Sequence, residues 1–132
     1  MTAAITGLDH VQVSIPAGSE DAARRFYVTI LGLREVPKPP ELHGRGGLWL
    51  VGEGVHLHLG VESDFRPALK SHIALLVDDL ESFRAALMAH DVAPAEDDSG
   101  LPVGRFYVSD PFGNRIELVA ANDRGFTLRT AW

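Results

Sequence analysis

The chain of 132 residues contains no cysteine, so disulfide bonds, thiolate metal sites and cysteine nucleophiles are excluded. It has no run of lysine and arginine, and its formal net charge is −6. A nucleic-acid-binding surface needs a basic stripe, so no nucleic-acid partner is expected. The apolar runs are too short to cross a bilayer, and no basic segment followed by an apolar one marks a secretory signal. We therefore expect a cytoplasmic protein without a membrane partner.

The composition that remains is that of an ordinary globular protein. Hydrophobic residues make up 45% of the chain and charged residues 23%, which is enough apolar material for a packed core. The length suits one domain, or two small modules that share a core.

The first half of the chain predicts a strand, a helix and a pair of strands. Residues 8–15 alternate apolar and polar side chains, as a strand does. Ser19 is the predicted N-cap of a helix that Gly32 ends. Residues 37–47 are rich in proline and glycine and are predicted to be irregular, and residues 48–62 predict two strands. The apolar face of the helix contains Ala22, Phe26 and Ile30.

The second half repeats this order. Residues 71–77 predict a strand, and Asp78 or Asp79 caps a helix over residues 80–90. Residues 104–120 predict two strands around a turn of sequence DPFGN. The apolar face of this helix contains Leu80, Phe83 and Leu87.

The shared order indicates an internal duplication. The first strands of the two halves align at His10 and His72, and the last hairpins align at the turn glycines Gly54 and Gly113. A βαβββ-like unit of this size cannot bury a curved sheet alone, so the two units are predicted to pack together and to enclose a cleft. Equivalent positions of the two halves then surround one centre.

Four residues of types that bind metal ions occupy such equivalent positions: His10, His58, His72 and Glu117. Imidazole and carboxylate together suit Fe(II), Mn(II), Ni(II), Co(II) or Zn(II). His10, His72 and Glu117 form a set of two histidines and one carboxylate, which leaves positions open for a substrate. His58 is then a fourth ligand or a nearby acid–base group. The alternative is a polar cleft without metal, in which the same residues form hydrogen bonds to one another.

Four further side chains are candidates for substrate binding. Arg115 shares a strand face with Glu117 and suits a substrate carboxylate or phosphate, although an exposed arginine or an ion pair is the simpler interpretation. His56 aligns with Arg115 and is expected to face substrate or to lie beside the ligands. Trp49 and Tyr107 line the predicted cleft or only pack against the core.

Several segments together resemble one known family. The segments "LDHVQVS", "FYVTILGL", "SHIALLVDDL" and "DPFGNRIELV" are similar to the vicinal oxygen chelate superfamily, which includes glyoxalase I, fosfomycin-resistance transferases, extradiol dioxygenases and bleomycin-resistance proteins. The likeness covers about residues 6–120. One mild departure is Asp91, where the family often has glycine, and aspartate tolerates the left-handed conformation better than most residues.

The resemblance implies an α+β fold in which two βαβββ modules form an open, barrel-like mixed sheet around a shared cleft. A single domain over residues 1–132 is expected, with modules at about 6–62 and 69–120 and an extension at 121–132. The extension contains a possible short strand that ends on Trp132. The resemblance also implies metal ligands at His10, His72 and Glu117, with the fourth at His56 or His58, of which the alignment favours His58.

The function that this implies is a divalent-metal-dependent enzyme, a glyoxalase-like lyase or isomerase or a dioxygenase-like enzyme, with His58 and Glu117 in catalytic roles. Its substrate would be a small molecule chelated through neighbouring oxygens. Histidine at position 58, where glyoxalase I has a carboxylate, argues against lactoylglutathione lyase activity. The alternative is a non-catalytic drug-binding protein of the bleomycin-resistance type. A homodimer is expected in either case.

Overall fold

In a computed structural model, the chain divides into two compact units, Met1–Phe65 and Arg66–Trp132. The structure describes residues 2–123. Each unit contains one four-stranded mixed sheet and few helices, in the order that a βαβββ module requires. The predicted α+β class with two such modules is therefore confirmed. The single-domain boundaries and the shared cleft stay predictions, and the possible strand ending on Trp132 lies outside the described residues.

The first unit has its strands in the order β1-β4-β3-β2. β1 pairs with β4 in parallel, and the other neighbours are antiparallel. The elements are β1 Val11–Ile15, α1 Glu20–Ala23, a π-helical segment Arg24–Ile30, β2 Arg34–Val36, a 3₁₀ helix Pro40–Arg45, β3 Leu48–Gly52 and β4 Val55–Val61.

The second unit repeats this topology, with the order β5-β8-β7-β6 and a parallel pair formed by β5 and β8. β6 and β7, and β7 and β8, are antiparallel. The elements are β5 His72–Val77, α2 Leu80–Ala89, β6 Ala95–Glu96, β7 Arg105–Ser109, β8 Arg115–Ala120 and a 3₁₀ turn Ala121–Asp123.

Alternate residues of the strands divide each sheet into a buried face and a polar one, because successive side chains of a strand point to opposite sides. In the second unit the buried face is turned toward α2, since the Arg84 guanidinium of α2 lies 4.6 Å from the centre of the Phe106 ring. The buried apolar strand residues include Ile15, Leu48, Leu50, Leu57 and Leu59 in the first unit, and Val77, Phe106, Val108, Ile116 and Leu118 in the second.

The first helix differs from the prediction in its winding. The Leu31 amide donates to the Phe26 carbonyl, which is the five-residue spacing of a π-helix. Phe26 is buried as predicted, whereas Ala22 and Ile30 are only half-buried, and Ala23 and Tyr27 are buried instead.

Two further predictions for the first unit are wrong in detail. The first strand begins at Val11, so His10 immediately precedes it. Residues 37–47 contain a 3₁₀ helix, Pro40–Arg45, and Pro40 suits its first position because the missing amide would have no partner there. Ser19 does precede α1 as predicted, but its hydroxyl donates to the Pro16 carbonyl.

The caps of α2 follow the sequence closely. Asp79, one of the two predicted capping residues, accepts a hydrogen bond of 3.0 Å from the Ser82 amide. Asp91 adopts a φ of 60°, the left-handed conformation that ends a helix and that favours glycine. The amide of Val92 then reaches back to the Leu87 carbonyl over 2.9 Å. In the part of the chain that the structure describes, no helix is both long and apolar enough to cross a membrane.

Two glycines offer a sharp test of packing in the first unit. Gly47 and Gly54 both have a positive φ, 82° and 69°. A Cβ at Gly47 would overlap the backbone carbonyl of Leu59, whereas a Cβ at Gly54 meets nothing within 4 Å. We expect Gly54→Ala to cost about 1–2 kcal/mol from backbone strain, and Gly47→Ala to cost about 1–3 kcal/mol more from overlap. Urea denaturation measures both, and equal losses would contradict the described approach of Gly47 to Leu59.

Candidate functional site

The polar face of the first sheet carries aromatic and imidazole rings on neighbouring strands. His56 and His58 of β4 alternate with buried leucines, and the register pairs His58 with Trp49 of β3. Residues that are paired across strands project from the same face of a sheet. His56, His58 and Trp49 therefore share one side, opposite the core.

Three rings form a continuous stack on this face. The Trp49 and His58 rings lie 4.2 Å apart between centroids, at an interplanar angle of 7°. The His10 ring covers the other side of His58, at 4.1 Å and 19°. Burial and the adjacent His10 both hold the pKa of His58 below its ordinary value, because a second positive charge would be repelled there. His58 is therefore a neutral imidazole near pH 7.

The tautomer of His10 follows from its neighbour. His10 Nδ1 lies 2.7 Å from Asp9 Oδ2, and this hydrogen bond lowers the pKa of the Asp9 carboxyl. An ionised carboxylate only accepts, so Nδ1 must carry the donated proton. In neutral His10, Nε2 then presents a lone pair, which is the state that a metal ligand needs.

The stack also limits how the two histidines can act together. The lone pair of an imidazole nitrogen lies in the ring plane, so nearly parallel stacked rings do not direct their lone pairs at one point. His10 and His58 can bind a single ion only if one ring turns. A cavity of about 470 Å³ adjoins the stack; its lining includes Asp9, His10, Trp49, His56 and His58.

The polar face of the second sheet centres on Glu117. Glu117 lies on the inner strand β8, between Ala74 of β5 and Tyr107 of β7, and is 7% exposed. His72 begins β5 and pairs with Arg115, two residues before Glu117 on the same strand. The parallel pairing thus brings the imidazole to the carboxylate: His72 Nε2 lies 3.1 Å from Glu117 Oε2.

This contact needs a proton or a metal ion between the two atoms. His72 Nδ1 lies 2.8 Å from the carbonyl oxygen of Lys70, and a carbonyl only accepts, so Nδ1 is the donor. In neutral His72, Nε2 then directs a lone pair at an ionised Glu117, an arrangement that is repulsive unless a proton or a metal ion joins the two atoms. Two ligands at right angles, each about 2.1 Å from an ion, lie about 3.0 Å apart. The separation of 3.1 Å is therefore compatible with a divalent metal ion as well as with a hydrogen bond.

The second oxygen of Glu117 belongs to a network that the sequence analysis did not predict. Arg105 Nη1 donates to Glu117 Oε1 over 3.1 Å, and Arg105 Nε donates to Asp97 Oδ2 over 3.0 Å. Asp97 raises the pKa of the Arg105 guanidinium, which therefore stays charged. The alternation of strand residues could have indicated this contact. Arg105 stands two residues before Tyr107, the register partner of Glu117, so Arg105 and Glu117 project from the same face.

Tyr107 and Arg115 lie on the same face. The Arg115 guanidinium lies 3.9 Å from the centre of the Tyr107 ring, and the His72 ring meets Tyr107 edge-on at 5.7 Å. A cation over an aromatic face is held by the ring quadrupole, so Tyr107 fixes Arg115 beside His72. A cavity of about 400 Å³ includes both Tyr107 and Arg115 in its lining.

Each unit thus brings together half of the eight predicted site residues. His10, His56, His58 and Trp49 lie on one face of the first unit, and His72, Tyr107, Arg115 and Glu117 lie on one face of the second. Among residues 2–123, no group of three or more His, Asp or Glu side chains gathers as a ready metal-binding cluster. The predicted four-residue ligand set therefore stays a prediction.

The comparisons with known proteins agree on one family. A family model described as the Glyoxalase/Bleomycin resistance protein/Dioxygenase superfamily matches residues 7–118. The crystal structure of a protein from Bacillus anthracis, assigned to the glyoxalase family, is similar to this chain at 44% identity. The match covers 91% of this chain and 98% of that chain, with a TM-score of 0.85.

More distant structures share the fold. The fosfomycin resistance protein FosX from Listeria monocytogenes is 16% identical, with 96% of this chain and 99% of that chain covered and a TM-score of 0.77. A superfamily member from Sphaerobacter thermophilus is 22% identical, with 86% and 97% covered and a TM-score of 0.65. At these identities the likeness concerns the fold alone. A comparison with curated proteins gives no significant match.

The Asp97–Arg105 ion pair predicts how stability changes with pH. The hydrogen bond from Arg105 lowers the pKa of Asp97 in the folded protein below the unfolded value of about 3.9. The contribution of this ion pair to the free energy of unfolding is therefore fully present above about pH 4. It is lost as the pH falls through the pKa of Asp97 in the folded protein. We expect the stability difference between the wild type and Asp97→Asn to be largest near pH 7 and to shrink in acid.

Urea denaturation of the metal-free protein at several pH values measures this difference. Asp98→Asn, which removes a carboxylate at the next position, is the matched control. A difference between wild type and Asp97→Asn that stays constant from pH 7 to pH 3 would contradict the ion pair.

Proposed function

Because the chain belongs to the Glyoxalase/Bleomycin resistance protein/Dioxygenase superfamily, we propose that it is a divalent-metal-dependent enzyme. Its substrate is a small molecule that presents two neighbouring oxygens. The observation that carries the proposal is the approach of His72 Nε2 to Glu117 Oε2 over 3.1 Å, a spacing at which a bound metal ion can take the place of a shared proton. The reaction class is that of a glyoxalase-like lyase or isomerase, or of a dioxygenase.

The proposed ligands are His10, His72 and Glu117, with His58 as the fourth. His10 and His72 support this assignment, because each has its Nδ1 engaged by an oxygen and its Nε2 left to coordinate. Imidazole and carboxylate donors suit Fe, Mn, Ni, Co or Zn.

The chain's own residues define the chemistry around the ion. When bound, the ion acts as a Lewis acid that stabilises negative charge developing on the substrate oxygens. His58, which is neutral near pH 7, accepts or returns a proton if it does not coordinate. Glu117, largely buried, stays fixed in place by its hydrogen bond to Arg105.

Four side chains are proposed to bind the substrate. Arg115, held over Tyr107, supplies a fixed positive charge for an anionic group. Trp49 and His56 line the cavity beside the ring stack and would contact the remainder of the molecule. We also propose that the protein is cytoplasmic and that it forms a homodimer. Analytical ultracentrifugation tests the homodimer.

Metal content tests the proposal directly. The purified chain, stripped with chelator and dialysed against Zn²⁺ or Mn²⁺, is expected to retain about one ion for each chain, measured by plasma emission. His72→Ala is expected to weaken binding by at least about 10–100-fold, because it removes a direct ligand. His90→Ala is the matched control, since His90 lies at the end of α2.

Two outcomes would overturn the proposal. A wild-type chain that cannot be loaded with any of these ions excludes a metal enzyme, and tight binding of a drug-like ligand regardless of chelator would then favour the bleomycin-resistance type. Equal losses of metal in His72→Ala and His90→Ala would show that binding is adventitious.

The ring stack provides an optical test of the role of His58. If His58 coordinates the ion, a ring must turn away from the stack, and the environment of Trp49 changes. In a Trp132→Phe background, which leaves Trp49 as the single tryptophan, addition of Zn²⁺ is expected to change the fluorescence. His58→Ala should abolish that change. A bound ion with an unchanged Trp49 spectrum would show that the His58 ring stays stacked on Trp49 and does not turn toward the ion.

A further inference from the structure

The network behind Glu117 joins a loop to the proposed metal site. Arg105 connects Glu117 to Asp97, and all three side chains are largely withdrawn from solvent: the exposed fraction of the side chain alone is 17% for Arg105, 11% for Asp97 and 9% for Glu117. Loss of one partner from such an ion pair leaves an uncompensated charge in the interior, and this destabilises the folded protein more than the loss of a surface ion pair does.

Arg105 divides its donors among three partners. Nη1 donates to Glu117 Oε1, and Nε and Nη2 face the two carboxylate oxygens of Asp97 at 3.0 and 3.4 Å. Nη2 also donates to Ser99 Oγ over 3.1 Å, and Ser99 donates its amide and hydroxyl back to Asp97. Asp97 and Ser99, which both lie in the loop, therefore fix the orientation of the guanidinium group that contacts Glu117.

The two oxygens of Glu117 thus have different roles. Oε1 accepts from Arg105, and Oε2 faces His72 Nε2 at 3.1 Å. A free carboxylate can bind an ion through one oxygen or through both, and can rotate between the two modes. With Oε1 engaged by a fixed donor, only Oε2 remains directed at the position beside His72.

We propose that Arg105 is a positioning residue for the metal site: it engages Oε1 of Glu117, so that Glu117 coordinates through Oε2 alone, and it is itself held by Asp97 and Ser99. This inference rests on the proposed metal function and adds to it the coordination mode of Glu117. Arg105 contacts the ligand and not the substrate or the ion. The simpler role for the same residues is an ion pair that only stabilises the second sheet.

Metal affinity separates these roles. Arg105→Met keeps most of the aliphatic stem and removes the donors, and is expected to weaken Zn²⁺ binding about 10–100-fold, the usual effect of losing a partner of a metal ligand. Arg105→Lys should restore only part of the affinity, because an ammonium cannot contact Asp97 and Glu117 in a fixed plane. Asp97→Asn, which leaves Arg105 in place but less firmly held, should give a smaller loss.

Arg84→Met is the matched control. Arg84 also bridges two carboxylates of the second unit, Glu81 and Glu96, and it also lies against an aromatic ring, but its partners are not proposed ligands. The variant Arg84→Met should change the melting temperature of the protein without changing its affinity for the metal ion.

A second readout reports coordination directly. The visible spectrum of bound Co²⁺ depends on the number of ligand atoms, so release of Oε1 in Arg105→Met should change its bands, whereas Arg84→Met should leave them as in the wild type. If folded Arg105→Met, Arg105→Lys and Asp97→Asn all bind Zn²⁺ as the wild type does, the positioning role is overturned and the metal site stands. If the wild type binds no metal, the proposed function fails and this inference fails with it.

Discussion

The parallel pairing of the first and last strands in each module is the constraint on which the polar side chains depend. β1 lies beside β4 and β5 lies beside β8, although a helix and two other strands separate them along the chain. The pairing fixes which residues face each other: Gln12 stands opposite His58, and His72 stands opposite Arg115. His10 therefore reaches His58, and His72 reaches Glu117, although the residues of each pair are more than 40 positions apart in the sequence.

Much of this fold could be predicted because its strands alternate and its halves repeat. The periodicity that separates His56 and His58 from Leu57 and Leu59 depends only on the pleat of a strand. The winding of the first helix could not be predicted in this way, because a five-residue hydrogen-bond spacing leaves the apolar pattern almost unchanged. The short strand β6 was missed as well, since two residues are too few to show a period.

The candidate site divides in a similar manner. Equivalent positions in the two halves identified the four possible ligands, and the structure brings them together as two pairs. Arg105 was missed because its partners, Asp97 and Glu117, belong to a loop and to a different strand. The sequence pattern also does not show that His10 and His58 stack their rings, whereas His72 and Glu117 form polar contacts that extend to Arg105.

The alternation in β4 has a further consequence for how such a protein diverges. Leu57 and Leu59 belong to the core, whereas His56 and His58 lie on the opposite face beside the ring stack and its cavity. A codon change at either histidine alters the chemistry of the face and leaves the apolar face of the sheet intact. Substitutions on one side of the strand can therefore change the chemistry of the site while the residues on the other side keep the fold stable. Such a fold can acquire new activities in evolution without losing its core.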